Sequence, residues 1–222
     1  MNTTNKKTPM WIFISILAAP FLYVAYVWDS LPASVPLHFG MDGKPDDYGS
    51  KSEFLAAQLF VFAIGLGVSW LINNLERIDP KRAKNGNATH KIALLVVFLL
   101  SGIMMYTTYS ATGSETTFST KSIFVIVSLF FSFMGNLMNN IKPNYFVGIR
   151  TPWTLESEEV WRKTHHFASR LWFFAGLIMT VLVLILPENA GIICFFICAC
   201  IIAVLPLIYS YKAYGPSKNK TA

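Results

Sequence analysis

The chain has 222 residues, 54% of them hydrophobic, and a net charge of +6. Its hydrophobicity is gathered into six apolar stretches of about bilayer-crossing length, which excludes a soluble globular core. The basic residues lie between the stretches and form no single stripe, which excludes direct nucleic-acid binding and makes the lipid bilayer the first partner. The expected architecture is all-α: one integral membrane domain over 1–222, a polytopic bundle of six transmembrane helices with N- and C-termini inside.

The first stretch runs from Pro9 to Trp28. Lys6, Lys7 and the Ala18-Ala19 pair invite a signal-peptide reading, but the apolar run continues through Tyr26 to Trp28, too long for a signal core. An uncleaved helix is expected, kinked at Pro20. Residues 29–53 follow as an extracellular Pro-rich loop. Pro32, Pro36 and Pro45 force extended or turn geometry, and Met41-Asp-Gly-Lys44 suits a tight turn. Asp42, Asp46 and Asp47 beside His38 do not match the spacing of a calcium loop, so no metal site is expected.

The second stretch spans Phe54 to Ile72, with Ala63 and Gly67 as a small-xxx-small pair for helix packing. Residues 73–90 form a basic loop carrying Arg77, Lys81, Arg82 and Lys84. The third stretch is Lys91 to Tyr109 and the fourth Ser122 to Asn139. Ser128, Ser132, Gly135, Asn136 and Asn139 recur there at steps of three and four, a face on which a neighbouring backbone can approach. Asn136 is singled out, since an amide in hydrocarbon needs a partner.

Residues 140–166 are a motif loop and a helix leading into the fifth stretch. Gly148 and Pro152 predict irregular chain from Asn144 to Trp153. Ser157 is placed to cap a helix whose first turn holds Glu158 and Glu159, each four residues before a cation, Arg162 and Lys163. Along it Trp161, His165, Ala168 and Trp172 share one side, while Arg162, His166 and Arg170 share another.

The fifth stretch is Phe167 to Leu186 and the sixth Ala190 to Tyr209. The sixth contains Cys194, Cys198 and Cys200, which read as small buried hydrophobes. The tail, residues 211–222, is expected to be disordered from Tyr214. Lys and Arg concentrate in the N-terminal tail, residues 73–90, residues 140–166 and the tail, leaving Lys44, Lys51 and Lys121 on the other side. The positive-inside rule then puts those four segments in the cytoplasm and the 29–53 loop outside.

No Asp, Glu, Lys, Arg or His lies deep in a span, where a proton pump or ion-coupled carrier keeps one. His165 and Ser169 lack an orienting carboxylate, so no catalytic residues, no cofactor and no enzyme activity are expected. The sequence specifies no oligomeric state.

Asn144-Tyr-Phe-Val-Gly-Ile-Arg-Thr-Pro-Trp-Thr-Leu, followed by Val160-Trp-Arg-Lys-Thr-His165, resembles the signature of the SdpI family of bacterial membrane proteins. The outer loop adds a second match in Leu31-Pro, Val35-Pro-Leu-His-Phe-Gly40, Gly43-Lys-Pro-Asp46 and Gly49-Ser-Lys51. The resemblance implies an immunity protein of the bacterial cell membrane. The family is named for one that protects a toxin producer from its own secreted peptide and holds a small cytoplasmic repressor once the toxin is engaged. On this chain it implies toxin contact at His38, Phe39, Asp42, Asp46, Lys51 and Asn136. It also implies partner docking at Asn144, Gly148, Arg150, Thr151, Pro152, Trp153, Trp161 and His165. A small exporter of amphipathic peptides is the competing reading.

Overall fold

A computed structural model describes residues 8–40, 45–78, 86–112 and 120–221. Six helices among them are long and apolar enough to cross a membrane. In chain order the elements are α1 (Met10–Val27), β1 (Val35–Phe39), β2 (Pro45–Gly49), α2 (Lys51–Asn73), α3 (Leu75–Ile78), α4 (Gly86–Thr112), α5 (Thr120–Met138), α6 (Pro152–Glu156), α7 (Glu158–Ile185) and α8 (Glu188–Thr221). The long ones are α1, α2, α4, α5, α7 and α8, so the all-α membrane bundle is borne out, with a small β-hairpin added.

Local chemistry sets the helix starts. Ser50 and Glu53 form a capping box at α2: the Ser50 hydroxyl accepts from Glu53 N–H at 3.3 Å, and the Glu53 carboxylate accepts from Ser50 N–H at 2.6 Å. Ser157 caps α7 as expected, its hydroxyl accepting from Val160 N–H at 3.4 Å. Of the two expected pairs on α7, Glu159 meets Lys163 at 2.6 Å, while Glu158 makes no such bond with Arg162. α1 passes unbroken through Pro20, as membrane helices can when neighbours satisfy the freed carbonyl.

The bundle has two halves. α1, α2 and α4 pack around Phe13, Leu17, Ile72, Ala93 and Val97, while α5, α7 and α8 pack around Met179, Val183, Phe195 and Ile202. α4 against α5 joins them. Lipid offers no hydrophobic drive for association, so close backbone approach and hydrogen bonds must hold such helices together. The α5–α7 seam shows both. A Cβ at Gly135 would strike the backbone of Phe173, one at Gly176 would strike that of Ser132, and Ser132 Oγ donates to Phe173 O at 3.1 Å. Ser128, Ser132 and Gly135 thus form the expected packing face, and Asn139, although exposed, still meets α7 through His166 at 3.0 Å, but Asn136 is exposed and makes no bond to a described residue.

Three further expectations are corrected. Ala63 and Gly67 are exposed and Gly67 has nothing near it; the close approach in α2 is at Gly65, against Leu17. Pro152 and Trp153 begin the short helix α6, because Thr151 and Thr154 cap it reciprocally and proline suits a first turn. The tail stays helical to Thr221, with Tyr214 Oη donating to Glu156 at 2.6 Å.

The helices alternate in direction, so α1, α4 and α7 begin at the face where α2, α5 and α8 end. That face holds the motif loop, as two contacts show: Asn73 Nδ2 lies 3.5 Å from Met10 Sδ, and Thr151 Oγ1 donates to Ser210 Oγ at 3.2 Å. The hairpin occupies the opposite face.

Candidate functional site

The hairpin is built from short antiparallel strands, with Val35 opposite Gly49, Pro36 opposite Tyr48 and His38 opposite Asp47. Each strand has a free edge, which is why Pro36 and Pro45 fit without breaking a ladder. Leu31 and Val35 anchor it by burying against Val24, Val27, Phe54 and Ala111. At its exposed edge His38 Nδ1 donates to Asp46 Oδ1 at 2.5 Å. Lys51 donates to Trp28 O at 2.7 Å and sits 5.6 Å from the Trp28 ring centroid, tying the loop's two ends together.

Under the hairpin lies a cleft of about 360 Å³. Its roof is Pro36, Leu37 and His38; its walls come from Phe54, Ala57 and Val61 of α2, Ile103, Met104 and Ala111 of α4, and Ile123 and Phe124 of α5. The one amide among these apolar walls is Gln58, buried, donating to Thr107 Oγ1 at 3.1 Å and Thr108 Oγ1 at 3.4 Å. Sequence reading missed Gln58. A lone amide in an otherwise apolar span was the available signal, because such a group must find a partner in hydrocarbon.

Of the six residues assigned to toxin contact, the structure brings His38, Asp46 and Lys51 to this hairpin. Phe39 ends β1, and Asp42 lies outside the described residues. Asn136 does not join them. It sits twelve residues along α5 from Phe124, about 18 Å at 1.5 Å per residue, and two residues from the end of α5 on the motif face. At that depth an exposed amide can reach headgroup water, so it needs no partner within the bundle.

The motif at the opposite face folds inward on itself. Asn144 is fully buried and its amide is saturated: Nδ2 donates to Lys142 O and Val147 O at 2.9 and 3.0 Å, and Oδ1 accepts from Phe146 N–H and Val147 N–H at 2.8 and 2.7 Å. Gly148 follows with φ +113°, where a Cβ would also strike the His165 ring and crowd Trp161. Ile149 N–H donates to His165 Nε2 at 3.0 Å, while His165 Nδ1 donates to Trp161 O at 2.9 Å. This pattern makes His165 a neutral imidazole with both nitrogens taken, so it is not poised as a base toward Ser169. Its ring stacks on Trp161 at 4.1 Å, and Trp161 Nε1 donates to Ile141 O at 2.7 Å.

The rest of the motif reaches α8. Thr154 Oγ1 donates to Ile149 O at 2.9 Å, Trp153 meets the Tyr211 ring at 5.1 Å, and Thr151 bonds Ser210. Arg150 is exposed and donates to Tyr145 O. Of the eight docking residues, Asn144, Thr151, Trp161 and His165 are buried, Gly148 and Trp153 are half-buried, and Arg150 and Pro152 alone face outward. In this conformation the motif is a latch tying the loop to α7 and α8. Beneath it a second cavity, about 330 Å³, is lined by Ile92 of α4, Met134 and Met138 of α5, and Trp172 of α7. Among the described residues no three His, Cys, Asp or Glu side chains gather as a metal site.

These features define a class: a multi-pass cell-membrane protein with a cleft under a Pro-rich hairpin at one face and a latched Asn-Gly-Arg-Trp-His motif at the other. Residues 140–210 match the SdpI/YfhL protein family, and residues 15–63, which hold the hairpin and the α2 cleft wall, match a domain of unknown function (DUF1648). The chain is 26% identical over 213 residues to Immunity protein SdpI of Bacillus subtilis (strain 168), covering 93% of this chain and 98% of that one. A 73-residue stretch is 33% identical to an uncharacterized protein of Archaeoglobus fulgidus, 33% of this chain and 39% of the relative. No solved structure matches. The SdpI-family resemblance is thereby borne out, by the family match over the motif segment and by the similarity to Immunity protein SdpI over most of the chain.

Proposed function

We propose that this protein is a membrane immunity protein that protects its cell from a secreted, membrane-active peptide. The observation that carries this reading is the near end-to-end similarity to Immunity protein SdpI. The cleft supports it: an apolar space of about 360 Å³ under a polar hairpin edge suits an amphipathic peptide, whose apolar part enters beside Phe54 and Met104 while its polar part meets His38 and Asp46. The 29–53 loop then faces outward, and the N-terminal tail, 73–90, 140–166 and 211–222 face the cytoplasm, in keeping with the distribution of Lys and Arg.

In the finer form of the proposal, peptide engagement is relayed to a small cytoplasmic repressor. α4 and α5 line both the outer cleft and the cavity under the latch, so a shift of α5 against α7 would loosen Trp161 and His165 from the loop and expose them. A peptide preferring the loosened state tenfold shifts the balance by ~1.4 kcal/mol.

The test is survival of a sensitive strain expressing the chain when the secreted killing peptide of the SdpI system is added. Wild type is expected to protect. Ala57→Trp, which fills the cleft, is expected to abolish protection at an unchanged membrane level. Full protection by that variant contradicts the cleft, and no protection by wild type contradicts the immunity reading. Labelled peptide supplied to vesicles should saturate at a fixed ratio to protein; continued turnover would establish the exporter instead.

A further inference from the structure

α7 carries a third space, a groove that shares no lining residue with the cleft or with the cavity under the latch. It is about 580 Å³ and lies between α7 and Tyr209 of α8. Lys163, His166 and Arg170 stand at its motif-face end, and Phe174 and Ile178, 61% and 54% exposed, continue it along the helix. Phe167 and Tyr209 stack at 4.5 Å with planes 9° apart, forming a wall between the two helices.

We infer that this groove binds one anionic phospholipid, its phosphate against Lys163, His166 and Arg170 and an acyl chain along Phe174 and Ile178. Depth supports the assignment. α7 has 28 residues, about 42 Å at 1.5 Å per residue, so its first turns stand clear of ~30 Å of hydrocarbon and the basic end falls at headgroup level. From Arg170 to Ile178 is about 12 Å of helix, close to the ~15 Å depth of one leaflet.

Charge supports it too. Lys163 is paired with Glu159 at 2.6 Å, but Arg170 has no hydrogen-bond or ion-pair partner among the described residues. His166 is held at the rim by donating from Nδ1 to Asn139 Oδ1 at 3.0 Å. Interfacial anchoring alone asks for cations and aromatic rings at this depth; it does not ask for a groove that continues from them into the hydrocarbon layer. Basic pockets between transmembrane helices are where anionic headgroups settle.

The test is native mass spectrometry of the detergent-purified full chain with palmitoyl-oleoyl phosphatidylglycerol or phosphatidylcholine of the same acyl chains. One phosphatidylglycerol is expected to stay bound where phosphatidylcholine does not. Arg170→Gln should weaken retention about fivefold, the effect of removing one cation near a lipid phosphate. Phe174→Ser, on an exposed position, should weaken it with the rim intact, and Lys91→Gln, on another helix, should leave it unchanged. Equal retention of the two lipids, wild-type retention by both Arg170→Gln and Phe174→Ser, or displacement by inorganic phosphate alone would overturn the assignment. So would displacement of the lipid by an amphipathic peptide that occupies the same rim.

Discussion

Gly148, His165 and Trp161 meet at one point, and each constrains the others. Gly148 adopts φ +113°, which an L side chain resists, and the space a Cβ needs is taken by His165 and Trp161. Gly148→Ala is therefore expected to cost about 1–3 kcal/mol in thermal or denaturant unfolding in detergent. His165→Ala strands the buried Ile149 N–H, a loss of about 1–3 kcal/mol. The double variant should lose less than the sum, because the smaller side chain at 165 makes room for the one added at 148. Strict additivity would mean the three residues do not act as one latch. The hairpin pair behaves differently. His38 and Asp46 side chains are 70% and 51% exposed, so Asp46→Ala should change stability by less than ~1 kcal/mol. It should still lower peptide protection in the survival assay, separating a recognition role from a structural one.

The seam between α5 and α7 rests on glycines whose Cα atoms face opposing backbone. Gly176→Leu would force the helices apart, an overpacking cost of about 1–3 kcal/mol, visible as a lower melting temperature in detergent. Gly67→Leu on α2, with nothing near it, should leave the melting temperature unchanged. Equal effects would deny that close approach holds this seam. Spacing alone showed the Ala63 and Gly67 pair and the Ser128, Ser132 and Gly135 face, but not which of them faces protein, and it did not mark Gly176. In lipid the apolar outside resembles the apolar inside, so periodicity does not orient a helix. The same ambiguity hid the direction of Trp161 and His165. Their helical spacing placed them on one side, as found, but that side turns inward to the Asn144–Ile149 loop, through bonds between residues as much as 20 apart. Ser157 as a cap was legible because its partner, Val160 N–H, is three residues away. The strands were not, since pairing Pro36 with Tyr48 depends on a register that no local pattern announces.

At the scale of the whole molecule, two sites stand at opposite faces of one bundle, and α4 and α5 run between them. The six spans were legible from length and hydropathy alone, because ~20 apolar residues are what the bilayer demands. The cleft was not, because it gathers residues from β1, α2, α4 and α5 that only tertiary packing brings together. With an even number of spans the chain returns to the face it started from, so the ends of the described chain share the motif face while the hairpin stands opposite. An outward cleft and an inward latch are what the immunity reading requires. The most direct measurement of that arrangement is labelling by a membrane-impermeant thiol reagent, in a background with Cys194, Cys198 and Cys200 replaced by Ala. Asp46→Cys should be modified in intact cells and Arg162→Cys only after permeabilisation. Modification of Arg162→Cys in intact cells, with Asp46→Cys protected, would invert the protein in the membrane and contradict the account.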